Sequence, residues 1–344
     1  MLVVAATLAL MLAPDAPGQG VDLRERLKEL NVRVETEHYV LAGTVSDKVL
    51  EEYGQMLEFI HAEYAAGFKE IIKDAEKAEP EETRKKKKAA KRRASQKRKR
   101  KKARKPGGNR DEDAPPPATM DQEDELGRFS VLVFGTENDY QEFGQAFLGG
   151  ATEHTGGMFI SGLDLLLILD RGNPDDSRRV LFHEAFHQFM RRYVKNPPVW
   201  LNEGLAVYYE QGVPTRKGGL RYDQPDTRYW KLCRKAVQTD CAIPLWTVIK
   251  APKIEFYSAT RAGLPGRYKK ALKKSLYYGQ SYTLVHLLLS DAGGRDKLRE
   301  YLRALAADDG TKTAEITREH FGPDVCAHMT PYWTRHIESR PENR

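Results

Sequence analysis

One stretch of this 344-residue chain constrains the rest: a strongly apolar helical segment with two histidines and a glutamate at its centre. Asn173-Pro174-Asp175-Asp176-Ser177 supplies helix-start residues. Asn196-Pro197-Pro198 ends the run, because proline lacks the amide that a helix interior needs. Between them Val180, Leu181, Ala185, Phe186, Phe189, Met190 and Val194 give a wide apolar face. His183-Glu184-Ala185-Phe186-His187 lies in the middle. Four-residue spacing puts both imidazoles on one helix face, within reach of one ion. Polar groups at that depth are costly unless something satisfies them. A metal ion held by His183 and His187 does so, with Glu184 beside it to take a proton from a water. The competing reading is an amphipathic helix with two incidental histidines.

A second motif, Trp200-Leu201-Asn202-Glu203-Gly204, follows. Glu203 is a ready third ligand. Three protein ligands plus a water is the coordination of a catalytic zinc rather than a structural one. Glu210 lies seven residues further along the same helix face and is the reserve third ligand. An isolated carboxylate there is more often a solvated helix-end group.

The two motifs together resemble the gluzincin type of the zincin-like metallopeptidases, the peptidase MA-like group. Ser130-Val131-Leu132-Val133-Phe134, with Tyr140 and Phe143 behind it, is similar to that group's upstream strand and helix. Tyr278-Gly279-Gln280-Ser281-Tyr282 is similar to its downstream helix. Phe321-Gly322-Pro323-Asp324 with Tyr332-Trp333 is similar to its closing segment. The resemblance covers roughly residues 30–75 and 127–338. It implies an α+β zincin-like fold, with a small mixed sheet packed on the HExxH helix and a mostly helical C-terminal half. It implies one Zn2+ per chain on His183, His187 and Glu203, and a peptidase with Glu184 as general base. An edge strand above the metal would pair with an extended peptide or protein substrate. A second donor for the oxyanion would come from a downstream helix, where Tyr278, Tyr282 and His286 share one face; Tyr278 is favoured. The chain departs from the group at Val207, where an acidic residue often orients a histidine.

Residues 2–13 form an apolar run with the length of a signal-peptide core, too short for an ordinary transmembrane span. Ala16-Pro17-Gly18 offers a cleavage site. Residues 1–18 are therefore expected to be a signal peptide of an exported protein, with no transmembrane span in the mature chain. No basic residue precedes the run, which is a departure from the usual pattern. Residues 19–79 read as a strand or hairpin over 32–45 and one long helix over 47–79, and residues 127–344 as the catalytic domain. Along the long helix Val49, Tyr53, Met56, Leu57, Ile60, Tyr64, Phe68, Ile71 and Ile72 recur at helical steps. Residues 80–126 cannot bury enough apolar area to order themselves and read as a disordered insertion, basic first, then rich in proline and acid.

Charge is distributed unevenly. Sixteen of the 56 Lys and Arg residues fall in 84–105, where there is no acid. The remaining 40 face 49 acidic residues, so the body is acidic despite a net charge of +7. That body points to basic substrates. The basic run points to salt-dependent, sequence-blind contact with polyanions, and without interleaved aromatics it lacks stacking platforms for bases. Cys233, Cys241 and Cys326 lack CxxC spacing. They are either a Cys233–Cys241 pair with one free thiol or three small buried hydrophobes. His154, in a glycine-rich loop, is either a substrate contact or a solvated side chain. Two other functions stand beside the peptidase: a catalytically weak zincin-like binding or scaffold protein, and a polyanion binder acting through residues 84–105.

Overall fold

The computed structural model describes residues 33–78, 81, 85, 88, 89, 127–150, 152, 155–172, 174–215, 219–222, 227–258 and 270–339. The expected signal peptide and His154 lie outside the described residues. Of the basic insertion only positions 81, 85, 88 and 89 are described, all helical.

The architecture is α+β, with a small mixed sheet and a mostly helical second half. Strands β1 (Arg33–Glu35), β2 (Tyr39–Gly43), β3 (Phe129–Phe134), β4 (Gly157–Ile160) and β5 (Leu165–Leu169) form a sheet in the order β1-β2-β3-β5-β4. β2, β3 and β5 run parallel, while β1 and β4 are antiparallel edges. The runs FSVLVF and LLLIL of β3 and β5 are apolar throughout because both faces are covered. Val131, Val133, Leu166 and Ile168 face the helical core. Leu132, Phe134, Leu165, Leu167 and Leu169 face the other way, onto Tyr140 and Phe143. Those two rings belong to α3 (Glu137–Leu148), whose N-cap Thr136 accepts from the Asp139 amide at 3.1 Å.

The expected long helix is two: α1 (Asp47–Gly67) and α2 (Lys69–Ala78), broken at Phe68. The apolar stripe runs through the break, since Phe68 and Ile71 are both buried. A side chain on Gly67 would lie 2.7 Å from the Tyr209 hydroxyl, so glycine there admits a neighbouring helix. That neighbour is α5 (Val199–Glu210), which follows α4 (Pro174–Tyr193). α4 carries the HExxH motif and is tied to the sheet by Gln188, whose amide donates to Ser130 O at 3.1 Å and Asp164 O at 2.9 Å.

After a two-stranded hairpin, β6 (Val213–Pro214) and β7 (Leu220–Arg221), the chain is helical: α6 (Thr227–Gln238), α7 (Leu245–Ile249), α8 (Lys253–Ser258), α9 (Lys270–Ser290), α10 (Ala292–Ala307), α11 (Thr313–Phe321) and α12 (Pro323–Ser339). α9 is the central post of this half, packed on α5 and α6. Gly293-Gly294 does not separate α9 from α10. The break is at Asp291, whose carboxylate accepts from the Gly294 amide at 2.8 Å, so both glycines sit in the first turn of α10. The three cysteines are buried free thiols. Among the described residues no helix is long and apolar enough to cross a membrane.

Candidate metal centre

The two sequence motifs meet where α4 packs on α5. Nε2 of His183 lies 3.5 Å from one Glu203 oxygen, and Nε2 of His187 lies 3.7 Å from the other. The imidazole planes are nearly perpendicular, at 86°, with centroids 4.7 Å apart. One ligand atom from each of the three residues can be chosen so that all lie within 4.8 Å of one another, a cluster able to hold a metal ion. Donors about 2.1 Å from a tetrahedral ion stand about 3.4 Å apart. The two contacts have that spacing and are longer than good N–H···O bonds. The residues present therefore fit an ion.

On its other side α5 lies close against α9 through a glycine. A Cβ on Gly204 would lie 2.7 Å from Ser281 O and 2.8 Å from Val285 in α9. Beneath α4, the Tyr64 hydroxyl donates to Phe182 O, fixing the turn just ahead of His183.

Two of the three clustered side chains are held by a further partner. Nδ1 of His183 is 2.8 Å from a Glu210 oxygen, and the other Glu210 oxygen accepts from Gln211 at 2.9 Å. Glu210 thus stands outside the ligand cluster and orients one of its members. Glu203 accepts from the Tyr257 hydroxyl at 2.6 Å. Nδ1 of His187 and Oδ1 of Asn202 are both buried without a hydrogen-bond partner.

Burial works against charge on every group here. It lowers His183, but the carboxylates of Glu203 and Glu210 outweigh it and hold this imidazole well above its usual range. His187 falls to about 4, mainly through burial. Burial raises Glu203, yet the two histidines and Tyr257 pull it down to about 2. Glu184 rises to about 7 because burial dominates, with His183 and a backbone amide opposing. That amide is Phe159 N, which donates to Glu184 at 2.9 Å.

Phe159 belongs to the edge strand β4. Its amide points away from β5, so the backbone groups of Gly157, two residues before it, do too. Together with Glu184, His187, Glu203 and Tyr257 they line a cleft of about 480 Å³.

Tyr278 is buried behind this wall, its ring 5.2 Å from Phe256 and 6.5 Å from Tyr257 between centroids. Tyr257, not Tyr278, is among the residues facing the cleft. Tyr282 and His286 pack elsewhere, against Trp230 of α6, and His286 Nδ1 is 3.1 Å from His336 Nε2. Tyr257 was missed in the sequence because it sits in a six-residue helix with no periodic pattern. No family model matches the chain, and no curated protein matches it.

Proposed function

We propose that this chain is an exported zinc-dependent peptidase with a zincin-like fold of the gluzincin type. The observation that carries the reading is the buried His183, His187 and Glu203 cluster, with Glu184 fixed beside it against an edge strand. Two imidazole nitrogens and a carboxylate are a zinc donor set, and three protein ligands leave a position open. Zinc, when bound, makes water a nucleophile at neutral pH and polarises a carbonyl.

The protein's own groups supply the remainder. Glu184, poised near neutrality, takes the proton from the attacking water and passes it to the leaving amine. Its bond to Phe159 N holds it at the base of the cleft. The outward backbone of Gly157 and the Phe159 carbonyl offer an extended peptide a place as a sixth strand. Tyr257, directed at the cluster, is the nearest neutral donor for the developing oxyanion.

The test is elemental analysis of the purified chain beside Glu203→Ala, followed by peptide-library cleavage with Glu184→Gln as control. About one zinc per chain, lost in Glu203→Ala, and cleavage lost in Glu184→Gln support the reading. A chain that takes up no zinc when it is resupplied at neutral pH overturns it.

A further inference from the structure

The acidic body of the chain points to basic substrates, but three cations stand in the wall of the cleft. Arg191, Lys195 and Lys253 line it, and none of the three forms an ion pair among the described residues. All three are exposed. Two of them hold matched positions on different helices. Arg191 stands one turn beyond His187 on α4, and Lys253 one turn before Tyr257 on α8. Both cations thus line the same cleft as His187 and Glu203.

Their arrangement is unfavourable without an anion. The Lys253 ammonium is held below its usual value, first by burial and next by the charge of Arg191, while Glu203 pushes the other way. Three carboxylates also face the cleft, and none serves as a counter-ion to these cations. Glu203 is engaged by the two histidines and Tyr257. Glu184 is engaged by Phe159 N. Asp309 is turned into its own loop, where one oxygen accepts from the Thr311 amide at 3.0 Å and hydroxyl at 2.7 Å.

We propose that the cleft reads a carboxylate on the peptide substrate through Arg191 and Lys253. The inference rests on the peptidase reading for the substrate being a peptide. An Asp or Glu side chain and a free C-terminal carboxylate share this chemistry.

Binding separates the two sources and keeps this proposal apart from the hydrolytic one. Fluorescein-labelled hexapeptides are titrated by anisotropy into the full-length Glu184→Gln chain, with and without zinc. One set carries Glu or Gln at each position in turn with an amidated C-terminus. A second set has neutral side chains and either a free or an amidated terminus. The expected result is about ten-fold tighter binding of one carboxylate class, weakened by added salt. The preference disappears in Arg191→Gln/Lys253→Gln and persists in Arg191→Lys/Lys253→Arg. A preference for Glu side chains assigns an internal acidic residue; a preference for free termini assigns a carboxypeptidase subsite. Equal binding of charged and neutral peptides overturns the proposal, as does a preference that survives the double Gln variant. A retained preference in a chain that cleaves nothing under any metal sinks the hydrolytic reading and leaves this one standing.

Discussion

Glu210 accepts a hydrogen bond from Nδ1 of His183 at 2.8 Å, two turns along α5 from Glu203. The bond places the ring proton on Nδ1 and leaves Nε2, the atom facing Glu203, free to ligate. Val207, four residues after Glu203, has no side chain able to do this. The carboxylate that does so stands one helical turn further along the same face, and Gln211 donates to its second oxygen.

Replacing Glu210 by Ala should therefore weaken zinc binding about 10- to 100-fold without removing a ligand. Chelator competition measures it. Glu210→Ala with unchanged affinity would show that the bond has no part in ligation; complete loss of zinc would return Glu210 to the ligand set.

Gly204→Ala should destabilise the fold by about 1–3 kcal/mol, because the added methyl meets Ser281 O and Val285 rather than open space. Backbone must move to admit it, and Glu203 moves with the backbone. Urea unfolding reads the stability, and zinc content should fall in parallel. A chain of unaltered stability would mean that α5 and α9 are not in close contact.

The pairing of His183 with His187 was legible in the sequence because helical periodicity fixes direction: the two are one turn apart whatever surrounds them. The sheet was legible for a similar reason, since β3 and β5 are apolar without interruption. The partners of the ligands were not legible. Tyr257 reaches Glu203 across 54 residues, and no local pattern announces it. Glu210 was visible as a carboxylate on the right face, but its task depends on the ring orientation of His183, which spacing does not specify. The kink at Phe68 escaped because the apolar stripe continues through it. The charge of the cleft was hidden by averaging: Arg191 and Lys195 are one and two turns past His187, yet the body as a whole is acidic.

Acid should weaken the fold in two stages, and the join between β2 and α1 contributes to both. His38 stacks on His61 with centroids 3.9 Å apart, and its Nδ1 is 2.7 Å from Glu58. Burial, followed by the charge of His38, lowers His61 from 6.5 to about 4. The unfolded chain thus binds this proton more readily, and stability falls as pH drops from about 6.5 to 4. Burial raises Glu58, but His38 and Thr36 bring it from 4.5 down to about 2. Its contribution is full above 4.5 and is lost as pH falls toward 2, a loss on the order of 2 kcal/mol. Denaturant titrations of the metal-free chain across this range should show a smaller upper stage in His61→Phe and a smaller lower stage in Glu58→Gln, the remainder belonging to His187 and Glu203. A flat profile in the wild type contradicts both.

Tyr257 and Tyr278 should separate cleanly in kinetics. Their rings are stacked in depth: Tyr257 faces the cleft and bonds Glu203, and Tyr278 lies behind it. Burial holds both phenols well above their usual range, so each keeps its proton at any working pH and neither acts as a base. What distinguishes them is access. A donor aimed at a developing oxyanion is worth about 100-fold or more in kcat, whereas a buried hydroxyl that only packs is worth little. Tyr257→Phe should therefore lower kcat about 100-fold with zinc content retained, and Tyr278→Phe should change kcat less than about three-fold. If Tyr278→Phe proves the more damaging of the two at full zinc occupancy, the donor is Tyr278, and Tyr257 serves to hold Glu203 in place.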